Sequence, residues 1–443
     1  MTAPTDTIVA IATPPGRGGL GVVRLSGPTA FSIAENLSGK LPPVRTAGLR
    51  HFRDATGETI DSGLLICFAS PRSFTGEDVV EIQAHGSPVV LELIVTAAVA
   101  AGARRAAPGE FSQRAFLNDR MDLAQTEAVA DLIASASEKA ARAAHRSLEG
   151  AFSKAVDELH EALVALRVWV EAALDFPDED VDFLADGQVA ERANDLRIRL
   201  EDLLARAATG RLLTDGVRIA IIGPPNAGKS SLLNALAARD AAIVTEIPGT
   251  TRDVLRETIT LAGMPVVLSD TAGLRETSDR VESEGVRRAK KEMQIADLVF
   301  HVVDSTDPRE HYLTGVPDQV PVIRIQSKVD LSGHQPGRDG HCVGVSALTG
   351  AGLHALEGLV LEVLGAADTG GEGEFSARQR HVDALRRALV HVEAGEAEII
   401  ASASGELLAE ELKMAAEELG EITGRMSSDQ LLGEIFSSFC IGK

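Results

Sequence analysis

The sequence is poor in aromatic residues, which occupy only 3% of its 443 positions. Leucine, isoleucine, valine and alanine must therefore fill the hydrophobic cores, and this alanine-rich composition favours helix. Cysteine is also scarce, with only Cys67, Cys342 and Cys440 in the whole chain. Their wide spacing argues against a disulfide framework or a zinc site and predicts a reducing, cytoplasmic environment.

Long hydrophobic runs and an excess of basic residues are missing as well. No uninterrupted apolar stretch reaches membrane-spanning length, and the N-terminus lacks the pattern of a signal peptide, so we expect no membrane association. Acidic residues outnumber basic ones by 65 to 43, which gives a formal net charge of −22. Because proteins that bind nucleic acid alone usually carry a basic face, any RNA contact should be local or shared with a more basic partner.

The residue pattern divides the chain into four segments. Residues 1–119 have the pattern of short strands, turns and a few helices, which indicates an α+β domain. Residues 120–215 and 367–443 follow helical periodicity, and residues 216–366 repeat a strand, a loop and a helix. We therefore expect a parallel-sheet α/β domain inserted into an all-helical domain, with the α+β domain preceding both.

Hydrophobic spacing also predicts individual elements. Strands are expected over four short apolar stretches, at about residues 7–13, 21–26, 61–69 and 78–84. Helical periodicity begins at residue 122, and one helix face should form the seam of a bundle through Phe152, Val156, Leu159, Leu163, Leu166, Val170 and Ala173. An acidic break at residues 177–182 separates this pattern from a second helix over about residues 188–208.

Residues 223–230, with the sequence GPPNAGKS, have the pattern of a phosphate-binding loop. An apolar strand precedes the loop and an amphipathic helix follows it, as this motif requires. The glycines would let backbone N–H groups turn toward phosphates, Lys229 would reach the outer phosphates, and the Ser230 hydroxyl would ligate Mg²⁺. The sequence therefore predicts a nucleoside triphosphate site, which Asn226, Ala227, Gly228 and Ser231 also line.

Further segments would complete the phosphate and Mg²⁺ contacts. Asp270 ends an apolar strand and would hold the Mg²⁺ shell, and the Gly273 amide would sense the γ-phosphate. The residues of this second segment are Asp270, Thr271, Ala272 and Gly273. A first switch is expected over residues 249–253, with Thr251 as a Mg²⁺ ligand. The GTP-binding residues expected in this region are Thr245, Glu246, Ile247, Pro248, Gly249, Thr250 and Thr251.

Two short motifs after the following strands indicate the base. Asp330, preceded by Lys328, can accept both N–H groups of guanine, which adenine does not offer. Ser346 and Ala347 follow a further strand and should face the same base. Together with the phosphate loop, these motifs predict a Ras-like G domain that binds GTP.

Two residues depart from the usual pattern of a G domain. Ser327 stands where guanine sites usually carry asparagine, so we expect weakened affinity, with a site that binds without discriminating as the alternative. Leu274 stands where switch GTPases carry a glutamine that orients the attacking water. Since leucine has no polar atom, catalytic help must come from elsewhere.

The motifs GPPNAGKS, IPGTTRD, DTAGLRE and the terminal FCIGK together resemble those of the tRNA wobble-uridine modification GTPase family, MnmE or TrmE. Upstream segments that begin at Ala12, Phe74 and Pro108 resemble the N-terminal domain of that family. The resemblance therefore extends across nearly the whole chain.

The resemblance implies K⁺-dependent hydrolysis by paired G domains. The K⁺ ligands of the family match Asn226 together with backbone oxygens of Thr245, Ile247 and Thr250. The family's water-positioning glutamate matches Glu282, and Lys229 would assist at the phosphates. From the residues alone, an exposed helix carboxylate is the alternative for Glu282.

The resemblance also implies a folate site in the N-terminal domain, for 5-formyl-tetrahydrofolate or a related folate. The positions that match the family's contacts are Arg24, Glu81, Arg120 and Lys443. Arg120 replaces a lysine, which keeps the charge but changes the geometry. Cys440 would act near the folate with unknown chemistry, and a small buried apolar residue is the alternative.

These implications describe a homodimeric GTPase that modifies tRNA with an FAD-dependent partner, in a heterotetramer. A ribosome-assembly GTPase is one alternative, but such a switch would need a basic RNA-binding appendage. A folate-dependent transferase with a merely regulatory G domain is the other. The acidic composition fits the first interpretation, because the partner could supply much of the charge that binds tRNA.

Overall fold

The computed structural model describes residues 6–175, 188–239, 256–261, 263–270, 293–307, 315–365, 375–402, 405–426, 429–437, 439 and 442. Helices and strands are numbered in chain order over these residues. Contacts divide the chain into two units. The first contains Met1–Ala130 and Gly420–Lys443, and the second contains Asp131–Leu419.

A six-stranded sheet forms the centre of the first unit, in the order β3-β4-β5-β2-β1-β6. Only the β1–β6 pair is parallel among these described strands. The strands are β1 (Ile8–Ile11), β2 (Gly18–Ser26), β3 (Gly48–Arg53), β4 (Thr59–Phe68), β5 (Val79–Gly86) and β6 (Arg104–Arg105). The four predicted strands correspond to β1, β2, β4 and β5.

One face of this sheet packs against two helices, α1 (Ala30–Ser38) and α2 (Pro88–Ala100). Alternate residues of the strands, such as Val23 and Ile82, join side chains of both helices in one buried cluster. Cys67 belongs to this cluster, as expected of an isolated cysteine in an apolar strand.

The first unit also contains α3 (Glu110–Leu117), most of α4 (Leu123–Ala134) and the C-terminal helix α13 (Asp429–Ser437). Leu123 packs with apolar residues of the C-terminal segment in a second core: Leu432, Ile435, Phe436 and Phe439. A Cβ on Gly109 would lie 2.5 Å from the Phe436 carbonyl oxygen, so this close approach requires glycine. The last part of the chain is thus anchored to the strand-rich N-terminal domain.

The helices of the second unit are α5 (Glu138–Leu148), α6 (Ala151–Asp175), α7 (Gln188–Asp215), α11 (Gln379–Ser402) and most of α12 (Gly405–Thr423). The predicted seam lies on α6, where all its members except half-buried Ala173 are buried. The continuous helical pattern from residue 122 is divided into α4, α5 and α6. Ser137 caps α5 by accepting a hydrogen bond from the Ala140 N–H, and Gly150 precedes α6 with φ of 92°.

Helix α7 extends to Asp215, several residues beyond the predicted end near residue 208. The added turns are stabilised by tertiary packing, because Leu212 and Leu213 lie in the core of the following sheet. Gly216, with φ of 75°, then turns the chain directly into the strand Val217–Ile222.

A seven-stranded sheet follows, in the order β12-β13-β11-β10-β7-β9-β8. The strands are β7 (Val217–Ile222), β8 (Arg256–Leu261), β9 (Met264–Asp270), β10 (Leu298–Asp304), β11 (Val322–Ser327), β12 (Gly337–Asp339) and β13 (Cys342–Gly344). Its five inner strands pair in parallel, as predicted, whereas β8 and β12 pair antiparallel at the edges. The accompanying helices are α8 (Lys229–Arg239), α9 (Val329–Ser332) and α10 (Leu353–Val363).

None of the described helices combines the length and the hydrophobicity that a membrane crossing requires.

Replacing Leu163 with alanine should lower the free energy of unfolding by about 2–5 kcal/mol, because the change leaves a cavity in the α6 seam. Leu163 is fully buried, whereas Val168 on the same helix is 57% exposed. Val168→Ala is the matched control and should change stability by no more than about 0.5 kcal/mol. Urea unfolding followed by circular dichroism measures both, and equal losses would contradict this assignment of the buried face.

Candidate functional site

The phosphate loop leaves the centre of the seven-stranded sheet at the end of β7. A Cβ on Gly223 would lie 2.1 Å from the carbonyl oxygen of Val302 on β10, so only glycine permits this approach. Asn226 adopts a left-handed conformation, with φ of 62°, and Gly228 has φ of 90°. The backbone therefore curves tightly before α8 begins, with Ala227 buried and Asn226 exposed.

Lys229 is the first residue of α8 and is only 6% exposed. Its Nζ donates hydrogen bonds to the carbonyl oxygens of Gly223 and Pro224, each at 2.8 Å. The ammonium group thus lies inside the loop, at the N-terminus of a helix, where both features favour a bound anion. Ser230 and Ser231 follow in the first turn and are exposed.

Asp270 lies at the same edge of the sheet as the loop. It is the last residue of β9 and is the register partner of Ile221 on β7. Carboxylate and hydroxyl oxygens are ligands that Mg²⁺ prefers. The placement of Asp270 and exposed Ser230 at one edge therefore fits the predicted Mg²⁺ shell.

The segment predicted to recognise guanine, residues 327–330, lies beside the phosphate loop. Lys328 is in the left-handed conformation, with φ of 58°. Its Nζ donates to the Asn226 carbonyl oxygen at 2.8 Å and to Asp304 Oδ2 at 2.6 Å. Lys328, and then hydrogen bonds from Thr306, hold the pKa of Asp304 below its usual value.

Asp330 is exposed in the first turn of α9 and is available to a ligand. Ser346 is fully buried, and its Oγ accepts a hydrogen bond from the Thr349 N–H at 3.2 Å. The Val345 N–H donates to the Gln326 carbonyl oxygen, which holds the two base-binding loops side by side. Ala347 follows in the second loop and is half-buried. The structure therefore gathers the phosphate-loop and base-binding motifs at one edge of the sheet.

Several predicted residues lie outside the described part of the chain. They belong to both switches and to the C-terminus: Thr245, Glu246, Ile247, Pro248, Gly249, Thr250, Thr251, Thr271, Ala272, Gly273, Leu274, Glu282, Cys440 and Lys443. Their assigned roles therefore stay predictions.

A second candidate site lies on the sheet of the first unit. Arg24 on β2 and Glu81 on β5 are register partners, and each side chain is 21% exposed. Nε and Nη2 of Arg24 both donate to Glu81 Oε1, at 3.0 and 2.8 Å. The guanidinium lies 5.2 Å from the ring centre of Phe74 and 5.8 Å from that of Phe111. A half-buried charge pair thus lies beside two aromatic rings.

The other predicted members of this site lie on neighbouring segments. Arg120 is exposed, and its Cγ would lie 3.1 Å from a Cβ on Gly76, two residues after Phe74. Gly442 packs against the end of β1, where a Cβ would lie 2.2 Å from the Ile11 carbonyl oxygen. Ala10 on β1 is the register partner of Arg24. The structure therefore brings Gly442, the penultimate residue, to the strand beside Arg24.

Several residues that lie at these two candidate sites were not predicted from the sequence. Phe74, Phe111 and Asp304 had no assigned role, although Asp304 could have been found because it ends an apolar strand parallel to the phosphate-loop strand. His85, which carried no assignment, is exposed and pairs with Asp61 at 2.9 Å. Nothing in its spacing indicated that pair.

The model of the MnmE helical domain matches residues 123–440, and the model of the GTP-binding protein TrmE N-terminus matches residues 7–120. The G domain of the T. maritima FeoB iron transporter is 26% identical and has a TM-score of 0.24. The matched region is 33% of this chain and 98% of the FeoB chain. A variant of Era from Aquifex aeolicus bound to GDP and AlF₄⁻ is 22% identical, covers 47% and 89% respectively, and has a TM-score of 0.25.

These TM-scores are too low to establish the fold, which rests instead on the strand order and on the motifs gathered at one edge. The two family models together span nearly all of the sequence, in the order expected from its motifs. The protein therefore belongs to the MnmE (TrmE) family of GTP hydrolases that act in tRNA modification.

Proposed function

We propose that this family member is a K⁺- and Mg²⁺-dependent, cytoplasmic GTPase that acts as a homodimer with an FAD-dependent partner, in a heterotetramer. The complex would attach an aminomethyl-type group to C5 of the wobble uridine in certain tRNAs, with a folate as the one-carbon source. The observation that carries this proposal is the presence of both candidate sites in one chain of the MnmE family.

The nucleotide site supports the GTPase part of the proposal. Lys229 is held inside the phosphate loop, while exposed Asp330 is free to accept the two N–H groups of guanine. Ser230 and Asp270 would hold Mg²⁺, which neutralises phosphate charge when bound. These residues bind and orient the nucleotide, and Leu274 leaves the positioning of water to another group.

Asn226 supports the proposed K⁺ site. It is exposed in the curve of the loop, and its carbonyl oxygen accepts a hydrogen bond from Lys328. That bond fixes the backbone while the side-chain amide stays at the surface. A bound cation there would supply positive charge near the β- and γ-phosphates. The remaining proposed ligands, in residues 245–250, would be completed when G domains pair.

The site on the first unit supports the folate part of the proposal. Arg24 and Glu81 provide donors and acceptors beside the rings of Phe74 and Phe111, which suits a flat, polar heterocycle. Gly442 packs against the adjacent strand, and the proposed site includes its sequence neighbours Cys440 and Lys443. We assign no chemical step to Cys440.

The net charge of −22 supports the proposed division of labour. A phosphate-rich RNA is repelled by an acidic surface, so a more basic partner would carry much of the tRNA contact. A ribosome-assembly switch has less support, because the N-terminal residues 7–120 match the TrmE model rather than a basic appendage.

GTP turnover should be at least about tenfold faster in K⁺ than in Na⁺ at equal ionic strength, since tenfold corresponds to about 1.4 kcal/mol of barrier. Na⁺ is the smaller ion and should not satisfy the proposed Asn226 site. Asn226→Ala should abolish the difference while the variant still binds GDP. Steady-state phosphate release measures both, and equal wild-type rates in the two salts would contradict the cation account.

Replacing Glu282 with alanine should leave GTP binding intact and slow hydrolysis by about 10²-fold or more, as expected when a water-positioning group is removed. Glu284→Ala is the matched control, because it removes a neighbouring carboxylate with no assigned role. Fluorescent-nucleotide titration and single-turnover hydrolysis separate binding from chemistry. Unchanged turnover in the Glu282 variant would refute its role.

Calorimetry with 5-formyl-tetrahydrofolate should show binding to the wild-type protein and none to Glu81→Ala, because that change removes the acceptor paired with Arg24. Glu92→Ala is a suitable control, since Glu92 is an exposed carboxylate paired with Arg105 in the same unit. GTP hydrolysis should be retained in both variants. If the wild-type protein shows no binding heat, the N-terminal domain is a dimerisation module without folate.

A further inference from the structure

Ser327 is buried where the guanine-recognition segment meets the phosphate loop. The residue is only 4% exposed at the end of β11. Its Oγ lies 2.5 Å from the carbonyl oxygen of Ala227 in the loop and 3.2 Å from that of Val303 on β10. The hydroxyl group therefore faces two backbone acceptors inside the protein.

A serine hydroxyl has a single proton to donate. The shorter distance assigns that proton to the Ala227 carbonyl oxygen, because O–H···O bonds are typically about 2.5–3.0 Å long. The acceptors of guanine that Asp330 does not bind, N7 and O6, can then receive no hydrogen bond from residue 327. An asparagine amide, with two N–H groups, could serve a backbone carbonyl and a base acceptor together.

The neighbouring lysine makes a parallel contact. Lys328 Nζ donates to the Asn226 carbonyl oxygen at 2.8 Å, one residue before the carbonyl that Ser327 binds. A Cβ added to Gly228 would lie 3.4 Å from the Ser327 Cβ, so the loop passes close to the Ser327 side chain. Two adjacent residues of one motif therefore hold two adjacent residues of the other.

We propose that Ser327 is a positioning residue that fixes the phosphate loop against the guanine-recognition segment and makes no contact with the base. With serine in place of the usual asparagine, the hydrogen bond to the phosphate loop is retained and a hydrogen bond to the base is lost. Discrimination against adenine stays with Asp330. This inference rests on the nucleotide site proposed above, but it concerns only how that site is held in shape.

The test compares GDP with 7-deaza-GDP, which lacks the N7 acceptor, by isothermal titration. Ser327→Ala should weaken both ligands by the same factor, about fivefold, the equivalent of about 1 kcal/mol for one hydrogen bond. Ser327→Thr keeps the hydroxyl and should restore wild-type affinity. Ser327→Asn should make GDP bind more tightly than 7-deaza-GDP by a larger ratio than in the wild type.

Two results would overturn the inference. If Ser327→Ala binds GDP as tightly as the wild type, the loop does not need this hydrogen bond. If the ratio of the two dissociation constants falls toward one in Ser327→Ala, the wild-type hydroxyl contacts the base. Ser327→Cys, which is nearly the same size with a weaker donor, gives the same comparison should the alanine variant not fold. Absence of GDP binding by the wild type would overturn the nucleotide site itself.

Discussion

The nucleotide site depends on how closely the backbone of the phosphate loop approaches its neighbouring strands. A side chain at Gly223 would overlap the Val302 carbonyl oxygen, since its Cβ would lie 2.1 Å away. The loop can therefore pass β10 only as bare backbone, which leaves its N–H groups to turn inward. Lys229 then fills the curve from the first turn of α8. Anion binding here follows from backbone packing first and from side-chain charge second.

Strand β7, which leads into the phosphate loop, also connects this loop to the helices of the second unit. Helix α7 leads into β7 through Gly216 alone, and Leu213 lies in the core of the sheet. Arg211 donates to Asp297 Oδ1 at 2.8 Å, while Asp297 Oδ2 accepts the Arg218 N–H at 2.9 Å. The end of α7 and the start of β7 thus share one carboxylate. A shift of the phosphate-loop strand against α7 would break these bonds, so the two elements form one continuous support.

Features that depend on neighbouring residues in the chain, such as motifs and strand ends, could be predicted from the sequence. Contacts between residues far apart in the chain could mostly not be predicted. Lys229 and Asp330 stand in short motifs, so their place at the strand ends follows from spacing alone. Ser327 contacts a residue 100 positions away, and Arg24 pairs with one 57 positions away, so neither contact leaves a local pattern. Gly210 suggests a helix break in the sequence, yet it lies inside α7. Glycine is needed there because a Cβ would lie 2.3 Å from the Phe375 carbonyl oxygen. Tertiary packing overrides propensity at that position.

The two proposed ligands explain why each site presents a carboxylate. Guanine and the pterin ring of a folate share one edge, an amino group beside a ring N–H, and a carboxylate accepts both protons at once. Asp330 is exposed in the second unit and, in the proposed GTP site, would accept both protons of guanine. In the first unit, Arg24 bonds only to Glu81 Oε1, which leaves Oε2 without a partner among the described residues. The guanidinium thus holds the Glu81 carboxylate in one orientation while Oε2 stays available. With the proposed ligands, the same pair of N–H donors on guanine and on the pterin would account for the acidic residue at both candidate sites.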